Sequence, residues 1–256
     1  MEIRDHLDRN IKLNKIPERI ISLVPSQTEL LVDLGLEDQI VGITHFCVHP
    51  SHLKKTKKRV GGTKKVNLKK IKELDPDIIL CNKEENTREM VEELEKIAPV
   101  HISDVVEFED VYELISDYGK IFDKQSLAET INSSLKKKEK SLKDLQSTDQ
   151  KKKVAYFIWN DPLMVAGTDT FIDSMLRLNN LDNAFIKSRY PVTSLEELAD
   201  MEIDLCMLSS EPYPFKEEHK DMFAEVAREV EIVNGEYFSW YGTRLLEALD
   251  YFKELN

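Results

Sequence analysis

Residues 19–36 read RIISLVPSQTELLVDLGL. An apolar run, Ile20 to Val24, breaks at Pro25-Ser26-Gln27-Thr28, and a helical pattern then carries Leu30, Leu31 and Leu34 to Gly35. The run, apolar but for Ser22, has the length and character of a strand buried on both faces. Ser26 and Glu29 have capping-box spacing, in which each side chain satisfies a free amide at the helix start. Gly35 suits the residue just past the helix end, where the backbone turns left-handed. A buried strand that feeds straight into a helix opens a parallel α/β layer. In such sheets ligands gather beyond the carboxyl ends of the strands. The polar break at 25–28 therefore reads both as a helix start and as a surface with free amides.

The same punctuation continues. Gln39 to Thr44 reads as a second strand, HFCVHPSH (45–52) as a loop, and NLKKIKEL (67–74) as an amphipathic helix halted by Asp75-Pro76. DIILC (77–81) is a strand, a helix follows from about Thr87 to Ile97, and Pro99 to Ile102 is a further strand. The pattern then echoes itself. LKKIKELDPDIILC begins at Leu68 and LEELADMEIDLCML at Leu195, so that Leu68 matches Leu195, Ile71 Leu198, Leu74 Met201 and Asp77 Asp204. Thr170 precedes Phe171, Ile172, Met175 and Leu176 much as Thr28 precedes its own helix. Two echoes in one order predict two similar α/β lobes, 1–124 and 150–256. Between them, 125–149 carries Leu127, Ile131, Leu135, Leu142 and Leu145 near one stripe with no proline or glycine. A helix over 125–147 would span about 34 Å at about 1.5 Å per residue. A flexible hinge would be rich in Gly, Ser or Pro, so this linker is expected to be stiff.

The totals fit. At 256 residues the chain exceeds one ordinary domain, and 41% hydrophobic with 33% charged residues suits a globular protein with a real core. No apolar run approaches membrane-spanning length. The start, MEIRDHLDRN, lacks the features of a secretory leader. The expectation is a cytoplasmic location as written, and a periplasmic or lipid-anchored one if a leader has been removed. A net charge of −12 argues against wholesale nucleic-acid binding. The lysines from Lys54 to Lys70 read as a solvated loop and helix face, or as a basic rim that draws in an anionic ligand. Cys47, Cys81 and Cys206 form neither a disulfide framework nor a CxxC knuckle. Cys81 and Cys206, inside apolar runs, are expected as buried thiols.

RIISLVPSQTELLVDLGLEDQIVGIT, followed by VGGTKKVNLKKIKELDPDIILCN, resembles the N-terminal lobe of helical-backbone substrate-binding proteins. These are the vitamin B12, iron-siderophore and heme binding components of ABC importers. NDPLMVAGTDTFIDSML, the SLEEL helix and EYFSWYGTRLLEAL fit the second half, so the resemblance covers nearly all of residues 18–255. It implies two Rossmann-like lobes joined by one helix, ligand in a cleft between them, no catalysis and no intrinsic cofactor. It also implies a monomer that delivers a metal-chelate ligand to an ABC permease, docking through acidic residues on each lobe. Glu84, Glu85, Glu217 and Glu218 are the candidates for that role.

Placed on these elements, the first lobe's ligand-contact candidates are Pro25, Ser26, Gln27, Thr28, His45, Phe46, Gly62, Thr63 and Asn82. Phe46 matches an aromatic contact position of the B12-binding relatives. The second lobe offers Trp159, Asn160, Met164 and Tyr213, then Glu236, Phe238, Trp240 and Tyr241. Aromatic groups at strand ends give flat apolar area against a macrocycle or a catecholate. His45, His49 and His52 lack helical phasing and no HExxH occurs, so they are expected as surface histidines with no metal site among them. Arg244 is expected to pair on the helix surface, with a ligand carboxylate as the other option. Thr63 and Asn82 stand where the B12-binding relatives carry tryptophans. The reduced stacking surface and the nearby lysines favour a ferric chelate or a carboxylated porphyrin over a corrin.

The rival readings are a cytoplasmic cofactor carrier or sensor, and an enzyme of the related chelatase and nitrogenase-component architecture. Against the enzyme, there is no acid and base pair at a recognisable spacing, no P-loop and no cysteine cluster.

Overall fold

The computed structural model describes residues 1–146 and 151–255. The chain divides into two compact α/β units. The first comprises Met1–Val105, Glu109–Leu135 and Tyr241–Arg244, and the second Val106–Phe108, Lys136–Trp240 and Leu245–Asn256.

The first unit opens with an antiparallel hairpin, β1 (Glu2–Arg4) and β2 (Asn10–Lys12). Its core is a parallel sheet of β3 (Ile20–Ser22), β4 (Ile40–Thr44), β5 (Lys58–Gly61), β6 (Ile78–Asn82) and β7 (Val100–Ser103), in the order β5-β4-β3-β6-β7. Helix α1 (Pro25–Asp33) follows β3, with α2 (Leu53–Thr56), α3 (Leu68–Glu73) and α4 (Arg88–Leu94) later in the layer. Helices α5 (Phe108–Ile121) and α6 (Gln125–Lys143) come next, with Phe108 and the residues of α6 from Lys136 onward belonging to the second unit. Ile21, Leu23, Val60, Ile71, Ile79, Cys81, Leu94 and Ile102 form one buried cluster. This is why β3 and β6 read as unbroken apolar runs.

The outer edge of β7 is not left bare. Ile102 N donates to Asp5 Oδ2 at 3.1 Å, His6 N donates to Ile102 O at 3.2 Å, and Arg9 Nη2 donates to Val100 O at 2.8 Å. The polar segment after β1 thus closes an edge that could otherwise pair with another chain.

The second unit has a parallel core of β8 (Lys153–Trp159), β10 (Asp182–Asn183), β11 (Ile203–Ser209) and β12 (Ala227–Val233), in the order β10-β8-β11-β12; β9 (Met164–Val165) pairs antiparallel to β8. Helices α7 (Phe171–Leu178), α8 (Leu195–Ala199), α9 (Gly235–Ser239) and α10 (Leu245–Leu255) complete it. Its core gathers Ala155, Phe157, Val165, Phe185, Leu208, Phe215 and Phe223.

The internal echo has a structural meaning. α3 and β6 in one unit stand where α8 and β11 stand in the other, and the matched aspartates do the same work. Asp77 Oδ2 accepts from Glu18 N at 2.9 Å and Arg19 N at 3.0 Å, just ahead of β3. Asp204 Oδ2 accepts from Lys153 N at 2.9 Å, at the start of β8. Each carboxylate holds the entry of the neighbouring parallel strand.

Three expectations need correction. The capping box at Ser26 and Glu29 is absent: Pro25 occupies the first turn, Val24 is the cap residue without a side-chain bond, and Glu29 pairs with Arg244 instead. Proline at that position needs no amide partner, so the helix starts two residues earlier, at Pro25 with Val24 as cap. The strand from Ile20 ends at Ser22, since Leu23 and Val24 bridge to the helix. The lysine-rich segment is not only loop and helix face: it contains α2 and the edge strand β5. Helix α6 covers Gln125–Lys143 of the expected linker, whose positions 147–149 lie outside the described residues. Gly35, at φ +71°, ends α1 as expected. No helix among the described residues is long and apolar enough to cross a membrane.

Candidate functional site

In the first unit all five parallel strands deliver their carboxyl ends to one edge. Two kinds of side chain meet there. One kind is buried and polar. Gln27, fully buried, accepts from Tyr118 Oη at 2.7 Å and donates from Nε2 to Ser103 Oγ at 2.5 Å and Tyr241 Oη at 3.1 Å. Asn82 Nδ2 donates to Ser103 O and Oγ, while its Oδ1 accepts from Glu84 N at 2.8 Å and Glu85 N at 3.1 Å. Asn86 Nδ2 donates to Thr63 O at 2.8 Å, and Asn86 Oδ1 accepts from Asn82 N. Thr28 Oγ1 donates to Val24 O and sits beside Ser22 Oγ and Cys47 Sγ. Buried polar groups persist when paired, and a paired set holds loops in one geometry.

The other kind is open. Phe46, after β4, is 58% exposed, and its ring edge would lie 3.3 Å from a Cβ at Gly62. His45 is exposed beside it, and Thr63 and Pro25 are half-buried. Glu29 and Arg244 form a bidentate pair at 2.5 and 3.0 Å, both largely buried. Burial pushes the Glu29 carboxyl up and outweighs the pull of the guanidinium. Burial also raises Glu85, against a hydrogen bond from Thr63 and the charge of Lys64.

In the second unit, β8 and β11 end in Trp159 and Ser209. Trp159 is 39% exposed, and its Nε1 donates to Asp161 O at 3.0 Å. Tyr213 lies edge-on to Trp159, ring centroids 5.7 Å apart, and Asn160 Nδ2 donates to Tyr213 Oη at 3.3 Å. After β12, Gly235 passes so close to β11 that a Cβ would lie 2.3 Å from Ser209 Oγ. Glu211 Oε1 accepts from Trp240 Nε1 at 2.7 Å and Ser239 Oγ at 3.0 Å. Glu236 and Met164 are half-buried.

The sequence-predicted contacts thus separate into surface and support. Phe46, His45, Thr63, Pro25 and Gly62 gather at the first sheet's carboxyl edge, and Trp159, Asn160 and Tyr213 at the second's. Ser26, Gln27, Thr28 and Asn82 are buried. The side chains of Gln27, Thr28 and Asn82 are committed to partners inside the unit. Phe238 is not a surface group: it is fully buried between Tyr156 and Phe252, at 5.1 and 4.9 Å. Trp240 and Tyr241 are almost fully buried, each tied by a hydrogen bond inside its own unit. Of the docking candidates, Glu217 and Glu218 are exposed on a 3₁₀ turn, whereas Glu84 and Glu85 are half-buried. His52 pairs with Glu37 at 2.8 Å. No group of three or more His, Cys, Asp or Glu side chains among the described residues is placed to hold a metal. All three cysteines are buried free thiols, with burial pushing Cys206 up to about 12.

Tyr118 and Ser103 were missed by the sequence reading. Both lie in otherwise apolar or helical contexts, and only the fold brings them to Gln27.

Comparison with known proteins adds to this geometry. The periplasmic binding protein family matches residues 20–234. The Bacillus subtilis ABC transporter substrate-binding lipoprotein YvrC is 31% identical over 193 residues, 71% of this chain and 60% of that protein. The chain thus aligns with less than two thirds of that relative's length. The vitamin B12-binding protein of Pectobacterium atrosepticum is 25% identical over 244 residues, 91% of this chain and 86% of the relative. Among solved structures, a periplasmic heme binding protein from Pseudomonas aeruginosa superposes with a TM-score of 0.80 at 20% identity, covering 93% of this chain and 92% of its own.

Proposed function

This chain belongs to the periplasmic binding protein family, and on that basis we propose that it is the solute-binding component of an ABC importer for a metal-bearing organic ligand. The family match carries the reading, and the paired design of the strand ends supports it. Each sheet ends in exposed aromatic surface, Phe46 in one unit and Trp159 in the other, on loops held by hydrogen bonds: Phe46 N donates to Thr44 Oγ1 at 3.2 Å beside the buried Cys47, and Trp159 Nε1 donates to Asp161 O at 3.0 Å. Preformed loops of this kind favour capture, because little ordering entropy is left to lose on binding.

The ligand class follows from the same surfaces. Flat aromatic area suits a macrocycle or an aryl chelate. Lys64 and Lys65 are exposed beside Thr63 and favour a ligand with negative charge. Ferric siderophore, heme and cobalamin are the candidates, in the order in which charge complements that edge. Delivery to a permease would use exposed acids, and of the four docking candidates Glu217 and Glu218 are the exposed pair.

Calorimetric titration of the purified chain with cyanocobalamin, hemin and ferric enterobactin tests the proposal. Saturable 1:1 binding of one ligand at micromolar or tighter affinity, with the ligand recovered unchanged, is the expected result. Chemical conversion of a bound ligand, or heat of dilution alone in all three titrations, would refute it.

A further inference from the structure

We infer that Tyr213, held by Asn160 and His219, presents its hydroxyl proton to an anionic oxygen of the captured ligand; this rests on the capture reading above. The hydrogen-bond directions carry the argument. Lys216 N donates to His219 Nδ1 at 2.9 Å. A ring nitrogen that accepts carries no proton, so the neutral imidazole is protonated on Nε2. That nitrogen lies 3.2 Å from Tyr213 Oη and therefore donates to it. If the ring gains a second proton, Nδ1 finds Lys216 O at 3.2 Å, and Nε2 still donates. Asn160 Nδ2 supplies a second donated bond to the same oxygen at 3.3 Å.

With both acceptor sites of the phenol filled from within the unit, its own proton has no acceptor among the described residues. Tyr213 is half-buried, and both bonds received at its hydroxyl are only partly buried. The ring is fixed edge-on against Phe215, His219 and Trp159, at centroid distances of 4.8, 5.6 and 5.7 Å. Donors to a hydroxyl strengthen its own donation, and the strongest such bonds go to ionised oxygen. The neighbouring carboxylate of Glu211 is engaged by Trp240 and Ser239. Trp159, its indole nitrogen already bonded to Asp161 O, adds an apolar face next to the donor. One directed donor beside one aromatic face selects a planar ligand edged with carboxylate or catecholate. His219 is a positioning residue in this scheme, acting through Tyr213.

The test uses hemin for carboxylate, ferric enterobactin for catecholate, and cyanocobalamin for an amide-bearing rim. Tyr213→Phe keeps the ring packing and removes the proton. It should weaken hemin or ferric enterobactin, whichever the wild-type chain binds, by roughly tenfold to a hundredfold. His219→Ala should weaken it severalfold alone and add nothing in the Tyr213→Phe background. In the ligand-free chain, ¹⁵N shifts should place the His219 proton on Nε2. Unchanged affinity in Tyr213→Phe, a full His219→Ala effect in the double variant, or an Nδ1–H tautomer overturns the inference and leaves capture standing. So does a wild-type chain that takes only cyanocobalamin. A wild-type chain that binds none of the three overturns the capture reading and this inference with it.

Discussion

Gln27 decides how firmly the first unit's strand-end loops are held. Its amide joins Tyr118, Ser103 and Tyr241, residues from a helix, a strand end and a distant segment of the chain. Replacing it with leucine leaves the buried Tyr118 hydroxyl unpaired and should cost about 3 kcal/mol in urea unfolding. Adding Tyr118→Phe to that variant should return about 1 kcal/mol, because the orphaned group is gone. Equal stability of the single and double variants would break this account of the hub. Gly235 makes a second residue-level case. A Cβ there would lie 2.3 Å from Ser209 Oγ and 3.0 Å from Glu211 N. Gly235→Ala should therefore destabilise the chain by about 1–3 kcal/mol, read as a lowered urea midpoint at constant slope. None of this was visible in the sequence. Gln27 was singled out there as a ligand contact because it follows a strand, yet its partners lie at positions 103, 118 and 241, which no local pattern connects.

At the scale of elements the sequence was far more legible, because the inner parallel strands β3, β6, β8 and β11 are buried on both faces and so appear as short, mostly apolar runs. The strand ending at Asn82 and its partner ending at Ser209 were marked by their opening aspartates, and both aspartates proved to hold the next strand's entry. Thr170 likewise caps its helix, accepting from Asp173 N at 3.1 Å. Thr170→Ala should cost about 1 kcal/mol, with the loss appearing as faster amide exchange in the first turn after it. The misread helix start at Ser26 has a local cause: proline took the first turn, and Arg244, more than two hundred residues away in sequence, took the glutamate. The edge strand Lys58–Gly61 was hidden by lysines, which serve an edge by discouraging further pairing.

For the whole molecule, the N-terminal segment brings a pH dependence. His101 is fully buried on the edge strand, and neither ring nitrogen has a hydrogen-bond partner among the described residues. Burial holds its pKa down to about 4 from 6.5; Asp5 and Asp117 pull it upward, while His6 and Arg9 push it down. An unfolded chain takes up this proton below about pH 6.5, whereas the folded chain resists until near pH 4. Stability from this group is therefore whole above pH 6.5 and lost progressively as pH falls to 4. The total is about 3 kcal/mol. His101→Leu should flatten that part of a stability-against-pH profile, and an unchanged slope would contradict the assignment.

The proposed function rests on capture at the aromatic strand ends, and the chain contains only two tryptophans, Trp159 and Trp240. Trp159 is exposed at a strand end, whereas Trp240 is buried and bonded to Glu211. The most direct measurement is therefore the fluorescence of a Trp240→Phe chain titrated with hemin, ferric enterobactin and cyanocobalamin, after correction for absorbance by the ligand. Saturable quenching of Trp159 by one of them is the predicted result. A ligand that binds by calorimetry and leaves this emission unchanged would place capture elsewhere on the molecule.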